Sequence, residues 1–280
     1  QAFASLGSVV TIVEKNEELL GHEEPDAVKL VRASLERSGV VTRCGESVAR
    51  VDRDADGIVR VTLASGDVLE AEELLVASAR QGNTDDLGLD RVGVTPDARG
   101  NLIVRDCMDL GDGLEWLFAV GDVNGRAPFT HAAAYQAKVA ARNALGIPTE
   151  CVDDSVSAPR VMYTEPNLAA VGHTLKTARA AGLNVRAYDR DPQRTAAGTF
   201  YGHGTDGFAR LVVDLDSHCI VGATIVATDI ADLLHSATIA IVGKVPLEQL
   251  RHCVAPFPTR SEVWVRLIEL IDRDPVFVQE

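Results

Sequence analysis

Apolar and polar positions follow two different rhythms along this chain, and the change between them marks its organisation. Near the start, the β-branched run Ser8-Val-Val-Thr-Ile-Val13 predicts a short buried strand of a parallel sheet. Residues 1–7 read as the end of a helix, with Gly7 as its left-handed cap. Ala27, Val28, Val31 and Leu35 share one face of a helix predicted over 26–38, which Gly39 stops. From 40 to 70 the rhythm becomes strand-like, with strands at 48–51 and 58–63 around the turn sequence Asp54-Ala-Asp-Gly57. Leu74-Leu-Val-Ala77 and Leu117-Phe-Ala-Val-Gly-Asp122 predict two further buried strands. An alanine-rich helix follows over about 131–145, closed by Gly146 and Pro148. Residues 151–159 are polar and read as a linker. Beyond them, strands at 185–188, 209–214 and 219–227 are predicted, the last two joined through Asp216-Ser217. Ile230, Leu233, Leu234, Ala237 and Ile241 then follow helical spacing, and a final helix spans 261–271. This last part lacks βαβ alternation, so an α+β domain is expected behind an α/β one.

Composition narrows the function. With 280 residues, 46% of them hydrophobic, the chain can build one large or two ordinary cores. A formal charge of −14 argues against a nucleic-acid partner, since an acidic surface repels a phosphate backbone. No apolar run is long enough to cross a bilayer, and no signal-peptide pattern opens the chain. Cys44, Cys107, Cys151, Cys219 and Cys253 are scattered without CxxC spacing. Neither a disulfide framework nor a metal site is expected, and a cytoplasmic location is the default. The opening at Gln1, inside a helix-like stretch, reads as a fragment.

The candidate chemistry centres on the Gly121-Asp122 strand end and the helix behind it. A glycine there lets a ligand approach the backbone, the next carboxylate can bind hydroxyls, and a helix N-terminus offers amides and a positive dipole end. That set suits a polyol on an electron-rich ring, as in a flavin, although the same pattern also closes ordinary strands. Glu14, at the tip of the first strand, is placed as the acid that holds an adenosine ribose in a dinucleotide site. The glycine loop of such a site, about 20 residues earlier, falls before residue 1. A solvated Glu14-Lys15 pair is the plain alternative. Among the histidines and cysteines, His235 reads as packed or half-buried, Cys253 as core and His203 as loop.

Four landmarks in order resemble the class I pyridine nucleotide–disulfide oxidoreductase family. They are Leu6-Gly-Ser-x-Val-Thr-x-Val-Glu14, then Val76-Ala-Ser-Ala-Arg80 with Asn83-Thr84 and Gly88-Leu89, and Phe118-Ala-Val-Gly-Asp122. The fourth joins Tyr163-Thr-Glu-Pro-Asn167 and Val171-Gly172 with Pro258-Thr-Arg-Ser-Glu262. The resemblance implies the remnant of a flavoprotein with two dinucleotide-binding domains, followed by a C-terminal α+β dimerisation domain. Residues 1–75 would be part of the NAD(P)-binding domain, 76–150 the C-terminal segment of the FAD-binding domain, and 155–280 the dimerisation domain. It implies FAD and NAD as cofactors, NADP being disfavoured because Glu14 repels a 2′-phosphate, and a homodimer as the assembly. Asp122 would accept hydrogen bonds from the ribityl chain, and Gly121 would let the flavin approach the backbone. Arg80 on the return segment would be a further cofactor-binding residue. The amides around His131, Ala132 and Ala133 would face the pyrimidine end of the ring, where a helix N-terminus stabilises negative charge.

One departure bears on the reaction. Disulfide-reducing members carry a His-Pro-Thr-x-Ser-Glu motif whose histidine serves thiol acid–base chemistry, whereas this chain reads Phe257-Pro-Thr-Arg-Ser-Glu262. Phe257 cannot move a proton, and losing a positioned general base typically costs about two to four orders of magnitude. Glu262, the histidine's partner in that motif, is kept as the catalytic candidate the resemblance implies. Without the histidine it is left, with Ser261, suited to open the last helix. The expectation is therefore an FAD-dependent NAD(P)H oxidoreductase that passes electrons to a small-molecule acceptor of the quinone kind. The alternatives are a disulfide reductase of the dihydrolipoamide dehydrogenase kind, an NADH/NADP transhydrogenase, and an inactive truncated chain that only dimerises.

Overall fold

The computed structural model describes residues 1–151, 153–201 and 206–278. In chain order its first elements are α1 (Ala2–Ser5), β1 (Thr11–Glu14), α2 (Pro25–Arg37), β2 (Val41–Cys44), β3 (Val48–Arg53), β4 (Val59–Leu63) and β5 (Val68–Ala71). The middle carries α3 (Thr130–Ala144) and α4 (Asp154–Ser157). Next come β6 (Arg160–Met162), β7 (Asn167–Gly172), α5 (Leu175–Ala180), β8 (Val185–Arg190) and α6 (Ala196–Tyr201). The chain continues through β9 (Phe208–Asp214), β10 (Cys219–Ala227), α7 (Leu234–Val242), α8 (Leu247–Leu250), α9 (Glu262–Ile271) and α10 (Pro275–Val278). Two compact units result: Gln1–Val76 with Pro159–Glu280, and Ala77–Ala158.

The first unit is built on a five-stranded antiparallel sheet in the order β6-β7-β10-β9-β8. Side chains of a strand alternate between faces, and here each face has its own helices. Ala169, Val171, Ala223, Ile225 and Ala227 join residues of α7 and α9 in one buried cluster. Leu168, Ala170 and Val226 join Ala27, Val28, Val31 and Leu35 of α2 in the other. Helix α2 starts with Pro25 in its first turn, where a missing N–H costs nothing, and ends before Gly39. It connects β1 and β2, which pair in parallel with Thr11 opposite Val41. On the α2 face, Arg210 of β9 donates to Asp189 from Nε and Nη2 at 2.8 and 2.7 Å and to Glu24 at 2.7 Å. Arg160 makes a bidentate pair with Glu23 at 2.8 and 3.1 Å. Gly172 ends β7 at φ +78, and an added Cβ would stand 2.3 Å from the Val221 carbonyl of β10. The Val171-Gly172 landmark thus marks a close backbone crossing. The strands β3, β4 and β5 form a separate antiparallel meander. Asp54 closes its first turn by accepting from the amides of Asp56 and Ile58.

The second unit gathers its loops on α3. Met108, Val139, Ala140 and Cys151 form one small core, and Val94, Leu102 and Ala119 another.

Several expectations are corrected. Leu74-Leu-Val-Ala77 forms no strand, and Leu75 and Val76 are 76% and 75% exposed. Among the described residues no strand lies beside it to satisfy its backbone, and an apolar run alone cannot supply that. The run at 117–122 makes only an isolated bridge, Asp109 with Phe118, before Gly121–Asn124 coils into a 3₁₀ turn. The first strand begins at Thr11, and Val9 ahead of it is exposed. The supposed linker contains α4, with Cys151 and Asp154 buried, because Asp154 is tied inward by hydrogen bonds. Cys253 and His235 are both exposed, on a loop and on the outer face of α7. Ser261 makes no side-chain cap on α9, since its own backbone is already helical. His203 lies outside the described residues.

Candidate functional site

The second unit brings four of the singled-out positions together around one turn. Gly121 sits at φ +80, and a Cβ there would stand 3.1 Å from that of Ala133. A side chain would be strained both by the left-handed backbone and by the helix behind it. The turn therefore lies against α3 with its backbone uncovered by a side chain. Asp122 follows, about half exposed, and Arg80 reaches it: Nη1 donates to Asp122 Oδ2 at 3.0 Å and to the Pro128 carbonyl at 2.7 Å. One guanidinium thus ties the turn to the entry of α3. Both partners are exposed, so solvent screens the pair and its worth lies in orientation rather than stability.

Helix α3 has Phe129 as its N-cap, with no side-chain cap bond. The helical ladder begins where the Ala133 amide donates to the Phe129 carbonyl at 2.9 Å. The amides from Thr130 to Ala132 lie ahead of it and point out of the helix end. This corrects the expectation for Ala133, whose amide is engaged within the helix. The exposed His131 ring stacks on Phe129, with centroids 5.3 Å apart and planes at 9°.

Beneath the turn lies a polar network that sequence reasoning missed. Gln136 is fully buried, and its Oε1 accepts from the Gly121 amide at 2.7 Å and from Asn124 Nδ2 at 2.8 Å. Gln136 Nε2 donates to Asp154 Oδ2. Arg126 donates from Nε to Asp154 Oδ1 at 2.7 Å and from Nη2 to Asp106 at 2.9 Å. The available signal was a polar residue on the inner stripe of α3, beside Ala132, Val139 and Ala140. Burial pushes the nearby Cys151 thiol up to about 11, with the Asp154 carboxylate adding to the effect.

The other singled-out residues belong to the first unit. Glu14 ends β1 at the carboxyl edge of the parallel pair, and its Oε1 accepts from the Asn16 amide and Nδ2 at 2.8 and 2.6 Å. Glu262 begins α9 and is buried, and its Oε1 has no hydrogen-bond partner among the described residues. Phe257 is 76% exposed. Among the described residues, no cluster of three or more His, Cys, Asp or Glu could hold a metal ion. A backbone cradle that only glycine allows, a half-exposed carboxylate and an uncapped helix N-terminus fit a ligand with hydroxyls next to a ring that gains negative charge.

Comparison with known proteins agrees in both units. The family model described as "Pyridine nucleotide-disulphide oxidoreductase" matches residues 1–137, and its "dimerisation domain" model matches 158–268. A dihydrolipoyl dehydrogenase of Chlamydia muridarum is 30% identical over 94% of this chain and 55% of its own length. A mercuric reductase of Bacillus cereus is 30% identical over 98% of this chain and 43% of its own. The chain thus spans about half the length of the curated relatives it matches. The crystal structure of LpdA from Mycobacterium tuberculosis superposes with a TM-score of 0.86 at 25% identity, covering 96% of this chain and 58% of that one. Members of this lineage use FAD and NAD(P)H. The landmarks, the two matched regions and the shared fold together make this chain a member of the class I pyridine nucleotide–disulfide oxidoreductase family.

Proposed function

We propose that the chain serves an FAD-dependent NAD(P)H oxidoreductase, with the Gly121-Asp122 turn and the start of α3 as its part of the flavin site. The observation that carries this reading is the turn itself, a glycine cradle and a carboxylate held against an uncapped helix end. Asp122 would accept hydrogen bonds from the ribityl hydroxyls, with Arg80 fixing its direction. The Thr130–Ala132 amides would stabilise negative charge at the pyrimidine end of the ring. Bound there, FAD supplies the capacity to take a hydride from the reduced nicotinamide and release its electrons to an acceptor. Glu14, oriented by Asn16, would accept the adenosine ribose hydroxyls and favour NAD over NADP. Residues 1–75, 76–150 and 155–280 would then be parts of the nicotinamide, flavin and dimerisation domains, and the protein would act as a homodimer.

The relatives, dihydrolipoyl dehydrogenases and mercuric reductases, favour the disulfide-reductase branch for the acceptor over the quinone expected from sequence. Phe257 keeps a second reading open. It is exposed where that branch has its proton-carrying histidine, and an acceptor such as a quinone needs no such group. Steady-state turnover of the FAD-loaded, full-length protein with NADH and a dithiolane disulfide, a quinone or an NADP⁺ analogue decides between them. Fast disulfide turnover supports the first reading, and fast quinone turnover with slow disulfide the second. Slow turnover with all three would leave only a dimerising chain. If the missing base limits disulfide turnover, Phe257→His raises it by about 100-fold.

A further inference from the structure

We infer that Gln136 is the positioning residue of the flavin site, fixing the Gly121 amide from beneath and so setting the direction of Asp122. This rests on the reading of Asp122 as a flavin ligand. Gln136 is fully buried and touches the turn rather than any exposed surface. Its carboxamide oxygen accepts from both ends of the 3₁₀ turn, the Gly121 amide at 2.7 Å and the Asn124 side chain at 2.8 Å. Asn124 in turn donates to the Ala119 carbonyl at 3.1 Å, which fixes the approach to the turn. The carboxamide cannot rotate end for end, because its nitrogen is held by Asp154 and Asp154 by Arg126. A flip would set an N–H against the Gly121 N–H and an oxygen against a carboxylate. The amide suits this place, since it presents an acceptor to one neighbour and a donor to the other at every pH, which a carboxyl of the same length does only while protonated. Gly121 has no side chain to hold its peptide plane, so a buried acceptor must supply that constraint. Arg80 holds Asp122 from the solvent side, and Gln136 holds the backbone from inside.

The test compares wild type, Gln136→Leu, Gln136→Glu and Asp122→Ala in the full-length protein. FAD affinity is read by fluorescence titration, and the Gly121 amide by ¹⁵N-glycine labelling and hydrogen exchange without flavin. Gln136→Leu is expected to expose the Gly121 amide to exchange and to weaken FAD binding by about tenfold or more. Gln136→Glu keeps the oxygen facing Gly121 and needs one proton shared with Asp154. Arg126, Asp106, the Cys151 thiol and the Tyr135 hydroxyl hydrogen-bonded to that thiol are further titratable groups near that pair. Its affinity should approach wild type in acid and fall as rising pH removes the shared proton, while wild type stays flat. This rescue with a pH profile separates positioning from bulk packing, and it remains readable if Gln136→Leu fails to fold. If Gln136→Glu binds FAD as wild type does at every pH and keeps its Gly121 amide protected throughout, the inference is wrong. If Asp122→Ala also binds FAD normally, the site reading itself has failed. If only Asp122→Ala loses FAD, that reading stands and the role of Gln136 falls alone.

Discussion

Asp109 shows how much a single carboxylate does in the second unit. It accepts from Arg105 Nε and Nη2 at 2.7 and 2.9 Å and from the Gly111 amide at 2.9 Å, and it is buried. The hydrogen bonds from Arg105 hold its carboxyl below the usual carboxylate range, against the opposing pull of desolvation. A depressed folded pKa gives stability that is complete above the unfolded value, about 3.9, and is lost as pH falls through the folded one. Asp109→Asn should therefore cost about 2 kcal/mol near neutrality, where the charged hydrogen bonds are lost, and progressively less below about pH 4. Thermal melts of both proteins from pH 3 to 7 check this, and parallel curves would refute it. Gly121 is a second test at this scale. Gly121→Ala forces a side chain into φ +80 with its Cβ 3.1 Å from that of Ala133. The left-handed backbone alone costs about 1–2 kcal/mol. Urea unfolding should show at least that loss, and FAD binding should weaken with it.

Among elements, the fit of α2 onto the sheet depends on both an apolar stripe and a buried charge. Ala27, Val28, Val31 and Leu35 meet Leu168, Ala170 and Val226, while Arg210 reaches Glu24 just ahead of the helix. The Glu24 side chain is 2% exposed, so removing its guanidinium partner leaves a carboxylate far from water. Arg210→Met is expected to destabilise the first unit by about 3–5 kcal/mol, the cost of breaking such a pair from one side. Arg210→Lys should recover only part of this, because an ammonium cannot make the bidentate bond to Asp189. Denaturant midpoints for the two variants test the ranking. The stripe was legible in sequence because helical periodicity is local; the ion pair was not, because Glu24 and Arg210 lie 186 residues apart. The same division explains the errors. Strands β9 and β10 were readable from their own β-branched runs, whereas Leu74-Leu-Val-Ala77 has equal apolar character and, among the described residues, no neighbour to pair with. At the candidate site, Gly121, Asp122 and the α3 start carried visible signatures. Gln136 showed only as a polar position on the inner stripe of α3, and its contacts to Gly121 and Asp154 are encoded by no local pattern.

For the whole molecule, the helix α7 poses the remaining question. Leu234, Ala237 and Ala240 face the core, yet Ile239 is 58% exposed and Val242 is exposed beside it. A helix that is apolar on more than one side belongs inside something larger. The dimerisation-domain match spans it, which makes a second copy of the chain the expected cover. In a two-fold interface each substituted residue acts on both copies, so one new charge per chain counts twice. Ile239→Glu should therefore shift the protein toward monomer by tenfold or more in dissociation constant. It should leave the fold intact, because the side chain is not part of the core. Sedimentation velocity over a concentration series gives the first quantity and far-ultraviolet circular dichroism the second. The formal charge of −14 adds a further handle. Two copies of so acidic a chain repel at long range, and salt screens that repulsion within about 10 Å at 0.1 M. Wild-type dimerisation should accordingly strengthen with added salt, and Ile239→Glu should recover only the screened part of its loss. A dimer whose stability ignores both the substitution and the salt would place the contact surface away from α7.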